Sequence, residues 1–156
     1  MRPLRSFYSR VGRQKGLAAV EATIVLPVIL LLLLAIGEFG RMIYQYNTLT
    51  KAVRAGARTA SISPNPGTFD LSLVQAKTRN MILYGQEVAG TTPVLPGLQG
   101  DDITFNTKEI NGQTYVDIHV SYDWTPVFGD SFNTFFGDTI SLTFPLESSM
   151  TMRVLL

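Results

Sequence analysis

A single acidic residue lies inside the longest apolar stretch of the sequence. Residues 22–37 carry no charge, and with residues 17–21 they supply about the ~20 positions that cross a ~30 Å hydrocarbon layer. Glu21 lies near the start of this stretch. Because a carboxylate at membrane depth is costly unless it is paired, we interpret Glu21 as a functional residue that requires a partner.

The rest of the sequence lacks the spacings of common catalytic and metal sites. It contains no G-x-S-x-G, P-loop or H-E-x-x-H motif, and the absence of cysteine excludes thiol catalysis and disulfides. His119 is the only histidine, and we expect a solvated surface residue there rather than a metal ligand or a base. Asp101, Asp102 and Asp130 do not have the spacing of an EF-hand loop. We therefore expect no enzyme activity, no cofactor and no metal site.

The distribution of charge predicts how the chain is oriented in a membrane. From residue 62 onward, ten acidic residues against four basic ones give a charge of −6, so this part would repel nucleic acid. Before the apolar stretch every charged residue is basic, which favours a cytoplasmic amino terminus and places the remainder outside. These basic residues are Arg2, Arg5, Arg10, Arg13 and Lys15.

Two other interpretations of the amino terminus remain open. A secretory signal peptide would also begin with basic residues, and Ala35-Ile36-Gly37 would serve as its cleavage site. Against it, the apolar stretch is longer than the ~7–15 residues usual in signal peptides, and an acid in the first turn is unusual. The second alternative is an uncleaved anchor that only tethers the chain.

The apolar stretch continues into an amphipathic pattern that predicts one helix over 17–62. Its membrane half would be 17–37 and its outer half 38–62, and turn residues at 63–67 would end it. Pro27 predicts a kink, because proline removes one backbone hydrogen bond. The apolar row is Ile36, Phe39, Ile43, Tyr46, Leu49 or Thr50, Val53, Ala57 and Ala60, opposite Arg41, Gln45, Lys51, Arg54 and Arg58.

Residues 63–156 are predicted to form a small domain that makes the fold α+β, with an antiparallel sheet packed on the long helix. Asp70 and Gly85 would cap a short helix. Asn111-Gly112 between alternating runs predicts a type I′ hairpin of 103–110 and 113–124. Further strands would cover 139–146 and 150–154. The apolar face of the second hairpin strand carries Val116, Ile118, Val120, Tyr122 and Trp124.

A loop before the third predicted strand is rich in phenylalanine. A solvated loop does not need so much apolar surface, so these side chains either tuck under the sheet or form a partner patch. They are Phe128, Phe132, Phe135 and Phe136.

The amino-terminal motifs resemble a known family. Gly16 followed by Glu21 at the fifth position of an apolar helix resembles type IV pilin-like proteins. The longer string to Arg58 is similar to the TadE-like minor pseudopilins of tight-adherence (Tad) pili. Ala22 is a departure, because such proteins commonly carry an aromatic residue there. The motifs shared with the TadE-like family are Gly16 to Glu21, Pro27, Gly37-Glu38-Phe39-Gly40-Arg41, Tyr44 and Ala52-Val53-Arg54-Ala55-Gly56-Ala57-Arg58.

The resemblance implies how such a protein is made and used. A prepilin peptidase would remove the leader 1–16 by cutting between Gly16 and Leu17, and Glu21 would become an assembly contact. The other partners would be the major pilin, a sibling minor pilin, the inner-membrane assembly platform and membrane lipid. Because major pilins are much shorter than 156 residues, the chain would be a minor subunit that assembles or primes an adhesive pilus. It would cross the bacterial inner membrane once, with a periplasmic domain, and would reach the extracellular pilus after assembly.

A different class of function also fits the residues. An uncleaved single-pass anchor could carry a periplasmic binding module, with the loop from Phe128 to Phe136 as its recognition surface. The length of the mature chain distinguishes the two classes, because only a pilin-like subunit would lose its leader.

Overall fold

One long helix dominates the amino-terminal part of the computed structural model, which describes residues 15–62, 69–133, 137 and 139–155. Helix α1 (Lys15–Ser61) is 47 residues long and continues through Pro27. The chain divides into two units, one ending at Gly37 and one beginning at Glu38, and α1 contributes to both. In the first unit every described residue from 16 to 37 is exposed, including the whole leucine run.

The second helix, α2 (Leu71–Tyr84), has the predicted caps. The Asp70 carboxylate accepts a hydrogen bond from the backbone N–H of Ser72 at 2.9 Å, which satisfies a free donor of the first turn. Gly85 adopts a left-handed φ of 72°, and its N–H donates to the Met81 carbonyl at 3.0 Å. The buried face of α2 consists of Val74, Thr78, Ile82 and Leu83.

Five strands follow: β1 (Ile103–Ile110), β2 (Gln113–Asp123), β3 (Ser131–Asn133), β4 (Thr139–Ser141) and β5 (Pro145–Arg153). The main sheet is antiparallel, in the order β1-β2-β5. The hairpin prediction is confirmed, because Asn111 and Gly112 both have positive φ, as a type I′ turn requires. The α+β fold class is confirmed as well.

The bounds of the strands predicted at 139–146 and 150–154 are wrong. β4 covers only three residues and pairs with β3 in a separate two-stranded sheet. A single strand, β5, begins at Pro145 and pairs with β2 along its length. Ser148 takes an inward position of β5 and is buried, so it breaks the apolar alternation that would have marked one strand.

The core of the second unit forms between its part of α1, α2 and the main sheet. On β2, alternate residues are buried, which confirms the predicted face of the strand. At Gly56 of α1, an added Cβ would collide with the Ile82 side chain, so the small residues of α1 allow α2 to pack closely. The core includes Leu49, Val53, Ala57, Ala60, Ile82, Leu83, Val116, Ile118, Val120, Tyr122 and Trp124.

The predicted apolar row of α1 is wrong in its first half. Phe39, Ile43 and Tyr46 are exposed, as is Ile36, whereas Gln45 is buried. Spacings of three and four fit both rows of side chains, so periodicity alone could not choose between them. Gln45 packs inward, and its Oε1 is buried without a hydrogen-bond partner among the described residues.

Candidate functional site

The residues that the sequence singled out lie in the first turns of α1. Gly16, Leu17 and Glu21 all belong to the helix, which begins at Lys15. No described atom lies within 4 Å of the place where a Cβ would stand at Gly16. Leu17 is 74% exposed, so the bond between these two residues is not covered by the described part of the chain.

Glu21 has no partner among the described residues. The neighbouring polar side chain, Thr23, is satisfied within the helix because its hydroxyl donates to the Ala19 carbonyl at 2.7 Å. Glu21 is exposed, and no hydrogen bond or ion pair joins it to a described residue. In a helix, Leu17 and Glu21 are four positions apart and therefore share one face. The free carboxylate and the exposed Leu17 thus lie on the same apolar surface.

A second group of polar contacts ties the start of the second unit to the chain after β2. We call Glu38, Arg41, Trp124, Thr125 and Val127 the clasp. The Glu38 carboxylate accepts from Arg41 Nη2 at 2.8 Å and from the backbone N–H of Val127 at 3.0 Å. The same Arg41 nitrogen donates to the Thr125 carbonyl. Two residues of α1 therefore hold the loop by the backbone of Thr125 and Val127, on either side of Pro126.

The electrostatics of the clasp favour the charged form of Glu38. Burial opposes ionisation of Glu38, but the hydrogen bonds from Arg41 and from the Val127 N–H outweigh it, so the pKa of Glu38 is lowered. The Arg41 guanidinium lies 4.9 Å from the centre of the Trp124 ring, within cation–π range. Trp124 in turn meets Phe144 edge to face at 5.9 Å.

Sequence reasoning missed the clasp. It placed Arg41 on the outward face of α1, although this side chain is only 32% exposed. The available signal was Glu38 and Arg41 at a spacing of three directly after the apolar stretch, a spacing at which opposite charges meet on a helix. Nothing in the sequence indicated Thr125 or Val127 as their partners, because both contribute backbone atoms only.

Phe128, the first phenylalanine of the predicted partner patch, lies on the surface. Phe128 is 56% exposed and does not tuck under the sheet. Phe132 lies in β3, but its side chain is outside the described set. Phe135 and Phe136 lie outside the described residues altogether.

The polar face of β2 has a structural role. Asp117 accepts hydrogen bonds from the Thr151 hydroxyl at 2.9 Å and from Lys108 Nζ at 3.2 Å, which link β2 to β5 and β1. These two contacts, the Thr151 hydroxyl first, lower the pKa of Asp117 against the opposing effect of burial. His119 Nε2 lies 3.9 Å from a Glu147 carboxylate oxygen, and both side chains are exposed. Within the described ranges, no three His, Cys, Asp or Glu side chains form a group that could hold a metal.

By length and composition, α1 can cross a membrane and anchor the chain. The model of the family described as "TadE-like protein" matches residues 16–58, which is nearly all of α1 and just over a quarter of the chain. No curated protein and no solved structure matches this chain. Residues 16–58 are therefore a TadE-like segment, as their motifs predicted, and they indicate a pilin-like protein associated with Tad pili.

Proposed function

We propose that the protein is a minor pilin of a Tad-type pilus, made as an inner-membrane precursor and cleaved between Gly16 and Leu17. Its leader then lies in the cytoplasm, and the unit from Glu38 onward lies in the periplasm until assembly. Its partners are a prepilin peptidase, the major pilin, a sibling minor pilin and the assembly platform. The chain acts as a structural subunit that primes or joins the filament.

Glu21 carries this proposal. It is an exposed carboxylate on an apolar helix, without a partner among the described residues. In a membrane such a group requires a cation. Cleavage after Gly16 supplies one, because the new α-amino group of Leu17 is largely cationic at neutral pH. Within one helix this amine and Glu21 pair imperfectly, whereas a neighbouring subunit can offer its own amine in better geometry.

A second surface supports assembly with another subunit. Phe39, Ile43 and Tyr46 recur at spacings of four and three along the outer half of α1, and each is at least 45% exposed. The sheet of the same chain leaves this row uncovered. An apolar row of this kind is the usual surface on which a second helix packs.

Replacing Glu21 tests the proposal. Breaking a buried ion pair commonly costs ~3–5 kcal/mol, which weakens an association by roughly two to four powers of ten. We expect Glu21→Ala to leave membrane insertion and cleavage intact but to abolish co-purification with the pilin partners. Thr23→Ala is the matched control, since this hydroxyl bonds only to its own helix. If the cleaved Glu21→Ala protein is captured with its partners at the unmutated level, Glu21 is not an assembly contact.

A further inference from the structure

The loop after β2 exposes two adjacent apolar side chains, which we call the loop tip. Val127 is 66% exposed and Phe128 is 56% exposed, whereas Pro126 before them is buried. Exposed apolar side chains that lie together on a loop commonly mark a contact surface.

The clasp fixes the position of the loop tip. The backbone N–H of Val127 lies 3.0 Å from the Glu38 carboxylate, and Arg41 holds the carbonyl of Thr125. Glu38 directly follows Gly37, where the apolar stretch ends, and one residue of helix rises only about 1.5 Å. The headgroup region adds roughly 5–7 Å on each side of the hydrocarbon core. When α1 spans the membrane up to Gly37, Val127 is therefore held within reach of the headgroups.

We propose that the loop tip inserts into the headgroup region of the membrane that α1 spans, so that the second unit touches lipid at a point separate from α1. This inference rests on the membrane anchoring in the proposed function. Aromatic and aliphatic side chains are favourable at this depth. Asp123 and Asp130 are exposed on either side of the loop tip, so attraction to anionic lipid does not contribute. The expected partner is a zwitterionic lipid surface.

Depth-dependent fluorescence quenching tests the contact. The chain contains no cysteine, so a single cysteine can carry an environment-sensitive label without further changes. Asp130→Cys places the label beside an intact loop tip. Gln113→Cys places the label at the start of β2, about 30 Å along the strand from Asp123 at the usual strand rise. Leu30→Cys places the label in the apolar stretch. Each full-length protein is reconstituted into phosphatidylcholine vesicles that carry nitroxide lipids at a shallow or a deep position.

We expect the label at 130 to show blue-shifted emission and quenching by the shallow nitroxide, the label at 113 to show neither, and the label at 30 to be quenched by the deep nitroxide. The double change Val127→Ser with Phe128→Ser should abolish quenching at 130. Ile110→Ser, which removes a half-exposed apolar side chain at the hairpin, should leave this quenching unchanged. The fluorescence of Trp124 monitors folding in each variant.

Three results would overturn the inference. If the label at 30 is quenched but the label at 130 resembles that at 113, the chain is anchored and the loop tip does not touch lipid. If the label at 30 is not quenched either, the anchoring itself fails. If the blue shift and quenching of the label at 130 persist after the double change, other residues make the contact. If they occur only at high protein density, a second copy of the chain makes it.

Discussion

The Glu38 carboxylate and the backbone N–H of Val127, which are 89 positions apart in the sequence, are joined by a hydrogen bond of 3.0 Å. The bond links the first residue of the second unit to the loop that leaves the central strand of its sheet. Arg41 donates both to Glu38 and to the Thr125 carbonyl, so it forms a second link between α1 and the same loop.

Removing the Glu38 carboxylate should destabilise the second unit. Glu38 is only 13% exposed, and its loss leaves Arg41 and the Val127 N–H without an acceptor. Hydrogen bonds to charged groups contribute more than neutral ones, so we expect Glu38→Ala to lower the free energy of unfolding by about 1–2 kcal/mol. Denaturant unfolding in detergent, followed by the fluorescence of the single tryptophan, Trp124, measures the change.

Glu87→Ala is the matched control for Glu38→Ala. The Glu87 carboxylate pairs with Lys77 at 3.7 Å, and both side chains are more than half exposed. The pair should therefore contribute little to the free energy of unfolding. Equal unfolding midpoints for the two variants would show that the clasp does not stabilise the second unit.

Acid should destabilise the protein through two carboxyl groups. Hydrogen bonding lowers the folded-state pKa of both Glu38 and Asp117. Their contribution is therefore fully present above the unfolded-state values, about 4.3 for Glu and about 3.9 for Asp, and it is lost as the pH falls through the lower folded-state values. We expect the melting temperature to be nearly constant from about pH 7 to pH 5 and to fall below about pH 4.

The double change Glu38→Gln with Asp117→Asn should flatten the acid limb of this profile. It should also lower the melting temperature at pH 7, because the charged contacts are then absent at every pH. An acid limb as steep as that of the unmutated protein would mean that other carboxyl groups cause the acid sensitivity.

Replacing each of two glycines of α1 by alanine should change the free energy of unfolding in opposite directions. At Gly56 the new methyl group meets the Ile82 side chain, which is fully buried. Overpacking of this kind commonly costs ~1–3 kcal/mol, more than the gain in helix propensity. At Gly40 nothing lies within 4 Å of the added atom. Because alanine favours a helix more than glycine does, Gly40→Ala should raise the free energy of unfolding by about 0.5–1 kcal/mol. Thermal melts of both variants, compared with the unmutated protein, check the signs.

Local chemistry made several parts of the fold predictable. Asp70 and Gly85 marked both ends of α2, and Asn111-Gly112 located the hairpin, because caps and tight turns depend on residues that lie close together in sequence. Glu21 was recognisable for a similar reason. A charge inside an apolar run requires no knowledge of the folded structure to be noticed.

Tertiary contacts set the limit of sequence reasoning. The burial of Gln45 and the exposure of Phe39 depend on which side of α1 the sheet covers, and periodicity does not specify that. Strand β5 was divided in two because a buried serine, Ser148, interrupts its apolar face. The clasp could not be predicted from the sequence, because its acceptor and donor on the loop are backbone atoms, and residue types do not indicate where backbone atoms form hydrogen bonds.

The mass and amino-terminal sequence of the membrane-extracted protein, produced with and without a prepilin peptidase, test the central claim most directly. We predict a chain that begins at Leu17 when the peptidase is present and at Met1 when it is absent. Gly16→Val should block the cut, whereas Gly40→Ala should not affect it. An amino terminus at Met1 under both conditions would contradict processing and favour an uncleaved anchor, and one near Glu38 would indicate a signal peptide instead.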